Sequence, residues 1–185
     1  MTKPTILFIQ GGGEGAYNAD KKLAASLTNR LGKSYSVKYP KMPNENDPQY
    51  ETFKNKIEEE LKEINGKVIL VGHSVGSCFI LKYFSEKQID KNIAGIFLIA
   101  TPFWGKGGWQ YEGFTIDNEL VSKLTAGIPM YFYHSTEDET VPFSHLAKYE
   151  KIFPHAKVRK IVGRGHQLDN DLSEVAMDIK SLDVT

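Results

Sequence analysis

Short apolar runs rich in β-branched residues alternate along this chain with longer segments whose apolar positions recur at helical spacing. Most of the short runs are nearly continuous in hydrophobicity, as strands buried on both faces are. They predict strands at residues 5–10, 35–39, 67–71, 93–100, 129–134 and 158–162. The longer segments predict helices at residues 18–31, 48–64, 75–85, 118–124, 142–152 and 172–181.

The predicted helix at residues 48–64 shows the helical spacing most clearly. Its apolar positions are Phe53, Ile57, Leu61 and Ile64, with Lys and Glu between them, and Asn65-Gly66 follows as a stop signal. Strict alternation of strands and helices predicts an α/β fold with about six parallel strands in a three-layer αβα sandwich. The length of 185 residues predicts a single domain over residues 1–185.

Composition restricts the classes of partner. Lys plus Arg and Asp plus Glu both number 23, which argues against a general nucleic-acid or anionic-membrane binder. The single cysteine, Cys78, excludes a disulfide framework, and no His/Asp/Glu spacing suggests a metal site, so we expect neither metal nor cofactor. No apolar run approaches the ~20 residues that span a bilayer, and no secretory signal is evident, so we expect a cytoplasmic protein.

The pentapeptide Gly72-His73-Ser74-Val75-Gly76 directly follows a predicted strand and opens a predicted helix. A G-x-S-x-G element in that context places its serine on a sharp strand-to-helix turn, with the hydroxyl above the edge of the sheet. Ser74 is therefore the candidate nucleophile. A serine hydroxyl needs a histidine to take its proton and an acid to orient that histidine.

His166 and Asp138 are the candidates for base and acid. Each follows a late predicted strand, and the carboxyl ends of parallel strands share the edge at which Ser74 is expected. Glu137 and Glu139 are the alternatives to Asp138 within the same acidic loop, with Glu137 ranked next. The order Ser, Asp, His along the chain differs from that of the chymotrypsin and subtilisin types.

The backbone amide of Val75 is one expected donor to a developing oxyanion. A second donor is expected from the glycine loop after the first strand, with the Gly12 amide favoured and Gly13 as the alternative. A phosphate-binding loop is the competing interpretation of that segment. The loop matches neither dinucleotide nor P-loop spacing in full, and Glu14 would repel a phosphate.

Aromatic residues among glycines mark the irregular segment 101–117, which leaves the strand next to the nucleophile strand. Phe103, Trp104 and Trp109 are expected to line a substrate pocket, with plain packing as the alternative. Because the segment is short, we expect it to favour short acyl groups. Structural or surface roles are expected for the remaining candidate side chains: His73, Cys78, His134, His145 and His155.

Several of these segments resemble the α/β-hydrolase superfamily, and more closely its small serine hydrolases of the retinoblastoma-binding-protein and YdeN type. The likeness rests on Val71-Gly72-His73-Ser74-Val75-Gly76, Ser135-Thr136-Glu137-Asp138 with Val141-Pro142, Gly165-His166 and Gly113-Phe114. It implies a compact α/β-hydrolase fold with a minimal cap, and nucleophile, acid and base roles for Ser74, Asp138 and His166. Gln10-Gly11 departs from the His-Gly of many superfamily members.

These observations lead to the hypothesis of a metal-free, carboxylesterase-like serine hydrolase that cleaves small esters or related acyl compounds through an acyl-enzyme. The alternatives are a non-catalytic binding or scaffold protein on a hydrolase fold, and an acyltransferase with the same triad. Specific labelling of Ser74 by a fluorophosphonate would separate the first alternative from an enzyme. The products formed would identify the second.

Overall fold

The computed structural model describes residues 3–86, 91–110 and 114–183. The strands are β1 Thr5–Ile9, β2 Ser36–Lys38, β3 Val68–His73, β4 Ile93–Ile99, β5 Met130–Ser135 and β6 Lys157–Ile161. The α-helices are α1 Ala16–Leu31, α2 Tyr50–Glu63, α3 Val75–Glu86, α4 Asn118–Leu124, α5 Ser144–Ile152 and α6 Ser173–Lys180. Short 3₁₀ turns occupy Gly32–Ser34 and Leu168–Asn170.

The strands of the described chain form one parallel sheet in the order β2-β1-β3-β4-β5-β6. From β1 the chain moves to β2 on one side, and from β3 it moves to β4 on the other. The strand order therefore reverses between β1 and β3. In open α/β sheets ligands bind at the carboxyl ends of the strands beside such a reversal.

Helices cover both faces of the sheet, and each face has its own apolar core. On one face α2, α3, α4 and α5 pack against strand residues such as Leu70, Leu98 and Phe132. On the other face α1 and α6 pack against residues such as Val71 and Ile99. This arrangement confirms the predicted three-layer α/β sandwich and the order of its elements.

Strand β3 continues to His73, two residues beyond its predicted end. Gly72 and His73 still pair with Leu98 and Ile99 of β4, so the sheet brings the chain directly to Ser74. The last predicted strand is present as β6, with both bounds shifted by one residue. Strand β6 lies at the sheet edge and is not buried on both faces, and Val162, beyond its end, is 75% exposed.

The described part of the chain contains no helix long and apolar enough to cross a membrane. Tyr111 and Gly113 of the aromatic segment lie outside the described residues. Nearby, residues 104 and 109 form an isolated backbone bridge that closes a glycine-containing turn.

Candidate active site

Ser74 occupies a tight turn between β3 and α3. Its φ angle of 52° lies in the left-handed region, which costs energy for a residue with a Cβ atom and is concentrated at functional sites. The Ser74 N–H donates to the Ile99 carbonyl at 2.8 Å, and the Ser74 carbonyl accepts from the Ser77 N–H at 3.0 Å. These backbone bonds hold the strained conformation predicted from the G-x-S-x-G element.

The glycines at the two ends of the pentapeptide are required by close backbone contacts. A Cβ atom on Gly76 would lie 2.3 Å from the Gln10 carbonyl oxygen, and one on Gly72 would lie 2.7 Å from Ser77 Cα. Both distances are impossible for real atoms. The glycines therefore let α3 begin directly against the end of β1 and the turn at Ser74.

His166 and Asp138 form a hydrogen-bonded pair at the same edge of the sheet. The His166 Nδ1 lies 2.9 Å from Asp138 Oδ2, with the Asp138 side chain fully buried and the His166 side chain 11% exposed. The carboxylate also accepts from the backbone N–H groups of Thr140 and Val141 at 2.9 and 2.7 Å. This arrangement leaves His166 Nε2 as the ring nitrogen that faces away from the acid.

The hydrogen bonds at Asp138 keep it ionised despite burial. Burial by itself would raise the pKa of Asp138, but hydrogen bonds from His134, His166 and the Val141 N–H outweigh it and hold the pKa well below the ordinary value. His134 Nε2 lies 3.2 Å from Asp138 Oδ2. Asp138 is therefore a fixed negative charge beside the His166 ring.

The neighbouring glutamates have different partners from Asp138. The exposed Glu137 accepts from the Gly163 N–H at 2.6 Å. Glu139 accepts from the backbone N–H of His166 at 2.9 Å. Of the three acidic side chains, Asp138 contacts the His166 ring in the described structure. Glu139 instead binds the backbone of the loop that carries His166, called the base loop below.

The residue before Ser74 links the turn to the base loop. The rings of His73 and His166 have centroids 4.7 Å apart, and His73 Nε2 lies 3.1 Å from the His166 carbonyl oxygen. Among the described residues, neither the Ser74 hydroxyl nor His166 Nε2 has a hydrogen-bond partner. The structure thus brings these residues to one edge of the sheet, as the order of elements predicts.

The amides of the glycine loop differ in their partners. The Gly11 N–H donates to Asp20 Oδ2 at 2.7 Å, and the Gly13 N–H donates to the Glu45 carbonyl at 2.6 Å. The Gly12 N–H has no partner in the described ranges. A Cβ atom on Gly12 would lie 2.5 Å from Pro48 Cγ, so only glycine fits beneath that proline.

The Val75 amide is the other predicted oxyanion donor. Val75 is the first residue of α3, where the N–H groups have no intrahelical acceptor. It is partly exposed, whereas the residues on either side of it are buried. Both predicted donor residues thus lie at the carboxyl edge of the sheet, Gly12 in the loop after β1 and Val75 at the start of α3.

A cavity of about 550 Å³ opens beside Val75. Its apolar wall includes Pro48, Phe79, Trp104 and Phe114, and Tyr50, Lys82 and Glu86 add polar groups. A volume of this size lies within the ~300–1,000 Å³ range of small-molecule sites. The cavity is therefore larger than the short acyl groups predicted from the length of the aromatic segment require.

The three predicted pocket aromatics occupy different places. Trp104 lines the cavity, and its Nε1–H donates to Cys78 Sγ at 3.1 Å. Phe103 instead belongs to the core, where it is 9% exposed and its ring packs edge-on against Tyr149. Trp109 packs edge-on behind Trp104 and against His145. The interpretation of Phe103 as a pocket residue is corrected, because its side chain packs against Tyr149 in the core and does not line the cavity.

Cys78 and the remaining histidines have structural contacts. Cys78 is fully buried, and burial raises the pKa of its thiol well above the ordinary value, as expected for a packed cysteine. His145 Nδ1 accepts from the Phe103 N–H at 2.9 Å. His134 lies near the end of β5, as one of the expected alternatives has it, and it is buried there at 1% exposure and contacts Asp138.

Three residues that also surround the site were not predicted from the sequence: Asp20, Gln167 and Pro48. Asp20 carried a recognisable signal, because it falls on the buried stripe of α1 with Leu23 and Leu27 at helical spacing. A carboxylate on an apolar stripe must find partners in the interior. Gln167 and Pro48 have no comparable signal in the sequence, since their roles depend on loops that meet only in the fold.

Within the described residues, no group of three or more His, Cys, Asp or Glu side chains is arranged to hold a metal ion.

A protein-family model described as serine hydrolase matches residues 18–172 of the chain. A search of curated protein sequences found no significant match.

Solved structures of hydrolases share the fold. The ydeN gene product of B. subtilis is 19% identical, with a TM-score of 0.70 and coverage of 97% of this chain and 98% of that one. CarC, a serine hydrolase involved in carbazole degradation, is 16% identical, with a TM-score of 0.70 and coverage of 97% and 90%. Est1E of Butyrivibrio proteoclasticus is 16% identical, with a TM-score of 0.69 and coverage of 96% and 85%.

Proposed function

Because the chain belongs to the serine hydrolase family, we propose that it hydrolyses a small ester or related acyl compound with Ser74, His166 and Asp138 as its catalytic triad. The observation that carries this proposal is the hydrogen-bonded His166–Asp138 pair beside the strained turn at Ser74. The Ser74 hydroxyl and His166 Nε2 make no hydrogen bond to each other in this structure, and neither has another partner among the described residues. In unliganded enzymes such catalytic hydrogen bonds are often long and tighten with substrate.

In the proposed reaction the Ser74 oxygen attacks the acyl carbon while its proton passes to His166 Nε2. Asp138 holds the ring through Nδ1 and stabilises the imidazolium that forms. The amides of Gly12 and Val75 donate to the oxyanion of the tetrahedral intermediate. Its collapse releases the alcohol, which takes the proton from His166, and leaves the acyl group on Ser74.

Water completes the cycle. A water molecule gives a proton to His166 while the water oxygen attacks the acyl carbon. A second tetrahedral intermediate forms, and the same amides donate to its oxyanion. Its collapse returns the proton to Ser74 and releases the acid. Water is therefore the acyl acceptor in this proposal, and transfer to another acceptor would give a different product from the same acyl-enzyme.

The size and apolar lining of the cavity favour a substrate whose acyl group is larger than acetyl. Val75, which follows Ser74, lines the cavity, whereas Ser74 and His166 do not, so the proposal places the acyl carbon at Ser74 and its apolar chain in the neighbouring cavity. Trp104, Phe79 and Phe114 offer aromatic surface to such a group. We therefore expect esters of medium-sized apolar acids to be better substrates than acetate esters.

Hydrolysis of p-nitrophenyl esters of graded acyl length, together with fluorophosphonate labelling, tests the proposal. Wild type should hydrolyse the esters and be labelled at Ser74. Ser74→Ala should lose labelling and about 10⁴–10⁶ in kcat. Ser85→Ala is the matched control, because Ser85 lies at the far end of α3 and bonds only the Lys82 carbonyl in the described structure.

Labelling that persists in Ser74→Ala would exclude Ser74 as the nucleophile. Wild-type protein that neither reacts with the probe nor hydrolyses any ester would instead indicate a binding protein on a hydrolase fold. Product analysis in the presence of an added alcohol distinguishes hydrolysis from transfer, since transfer would yield the new ester in place of the acid.

A further inference from the structure

The carboxylate of Asp20 lies in the interior beside the proposed site. Asp20 projects from α1 and is 1% exposed. It accepts from the Gly11 N–H at 2.7 Å and from Gln167 Nε2 at 3.0 Å, and His73 Nδ1 lies 2.9 Å away. These partners come from the loop after β1, the end of β3 and the loop after β6.

Each partner of Asp20 is the chain neighbour of a group in the proposed mechanism. Gly11 precedes Gly12, His73 precedes Ser74, and Gln167 follows His166. The same carboxylate thus holds the oxyanion loop, the nucleophile turn and the base loop, each one residue away from the group that would act. None of these contacts involves the cavity wall.

His73 extends this connection to the backbone of the base itself. Its Nε2 lies 3.1 Å from the His166 carbonyl, which can only accept, so Nε2 carries a proton. Its Nδ1 faces the Asp20 carboxylate, which also accepts when ionised. Both ring nitrogens therefore act as donors, and His73 forms a charged pair with Asp20.

The ionisation of this pair agrees with its geometry. Burial alone would lower the pKa of His73, but the charge of Asp20 and the hydrogen bonds to Asp20 and His166 outweigh it and raise the pKa. Burial alone would raise the pKa of Asp20, but the charge of His73 and the hydrogen bonds from His73, Gly11 and Gln167 outweigh it and lower the pKa.

We propose that Asp20 and His73 are positioning residues that fix the relative placement of the oxyanion loop, the nucleophile turn and the base loop. This inference rests on the proposed function, because it assigns those segments their catalytic meaning. A buried ion pair stabilises a fold no better than apolar side chains of similar volume. Its distinctive contribution here is a set of directional bonds to segments that otherwise meet only through packing.

Replacement of Asp20 by asparagine tests the proposal with little change in volume. Displacement of reacting groups by about 1 Å costs on the order of 100-fold in rate. We expect kcat of Asp20→Asn on p-nitrophenyl esters to fall about 10- to 100-fold. KM should change little, because Asp20 does not line the cavity. The rate of fluorophosphonate labelling should fall in parallel with kcat.

Asp178→Asn is the matched control. Asp178 is also buried, and it accepts from the Tyr133 hydroxyl at 2.7 Å and from Arg159 at 2.6 Å, away from the three segments. We expect it to lower the melting temperature and leave kcat per folded molecule unchanged. If Asp20→Asn behaves like Asp178→Asn, its role is structural and the inference is wrong.

A pair of His73 variants tests the same inference without removal of the Asp20 charge. A glutamine amide nitrogen can replace histidine Nε2, and an asparagine amide nitrogen can replace Nδ1. His73→Gln can thus keep the bond to the His166 carbonyl, and His73→Asn can keep only the bond to Asp20. We expect His73→Gln to retain about 10-fold more kcat than His73→Asn.

The outcomes separate this inference from the proposed function. If Ser74→Ala remains active, the proposed function fails. If Ser74→Ala is inactive while Asp20→Asn has wild-type kcat, only the positioning role fails. Equal kcat in the two His73 variants, or a higher value in His73→Asn, would also overturn it.

Discussion

The pairs His166–Asp138 and His73–Asp20 lie side by side and have the same Nδ1-to-carboxylate distance of 2.9 Å. They differ at the other ring nitrogen. His73 Nε2 contacts the His166 carbonyl, whereas His166 Nε2 has no hydrogen-bond partner in the described chain, and its side chain is 11% exposed against 2% for His73. Both histidines are paired with a carboxylate, so the pairing does not distinguish them. The environment of Nε2 does: it makes His166 the candidate base and His73 a positioning residue.

This difference has a physical reason. A general base needs a neutral nitrogen directed at the proton it removes. A histidine whose nitrogens both donate to acceptors holds its proton and connects two segments rigidly. The carboxylates show less contrast. Hydrogen bonds at Asp138, and the charge of His73 together with hydrogen bonds at Asp20, outweigh burial and lower the pKa of both carboxyl groups.

The same substitution at both histidines is expected to give the largest contrast. His166→Gln removes the base and should lower kcat by about 10⁴–10⁶. His73→Gln keeps a donor toward the His166 carbonyl and should stay within about 10-fold of wild type. Steady-state kinetics on p-nitrophenyl esters measure both values. Equal losses at the two positions would show that the histidines do not divide the roles as proposed.

The next largest effect on kcat is expected at Gly12, the neighbour in the oxyanion loop of Gly11, which donates to Asp20. Gly12→Ala would place a Cβ atom 2.5 Å from Pro48 Cγ and shift the proposed donor amide. Loss of one oxyanion donor costs about 10²–10³ in kcat. Gly127→Ala is the control, because its Cβ atom would have no neighbour within 4 Å. Wild-type kcat in a folded Gly12→Ala protein would exclude this amide as a donor.

A smaller effect is expected in the cavity, which neither His–Asp pair contacts. Trp104→Ala removes part of the cavity wall and should change the relative kcat/KM for short and longer acyl esters by about 10-fold. Trp109→Ala removes only a ring packed behind Trp104 and should change this preference less. The measurement is kcat/KM across a series of acyl lengths. A stronger effect at Trp109 would place the acyl group elsewhere.

The smallest expected effect is on the pH dependence of stability. The raised pKa of His73 means that its contribution to stability is complete below about pH 6.5, the unfolded value, and is lost as pH rises through the folded value. Wild type should therefore lose more unfolding free energy than His73→Gln on moving from pH 6 to pH 9. Urea denaturation at both pH values measures this. A parallel loss in the two proteins would mean that His73 is not charged in the folded state.

Local patterns in the sequence were sufficient for the elements and their order. The continuous apolar runs of β3 and β4 and the helical spacing of Phe53, Ile57 and Leu61 report burial directly, because the hydrophobic effect acts on each segment with its own periodicity. The Ser74 turn was predictable for a related reason. Its glycines fit the sequence pattern of such turns, and close contacts of Gly72 with Ser77 and of Gly76 with Gln10 require them in the fold.

The tertiary structure decided which side chains share the interior of the site. Phe103 and Trp104 are adjacent and both aromatic, yet Phe103 packs in the core and Trp104 lines the cavity. Asp20 is 147 positions from Gln167 and 53 from His73, and its role arises only where α1 brings it against both. Local patterns report whether a residue is buried. They do not report its partners, because hydrogen bonds are short and directional and depend on segments that are distant in the sequence.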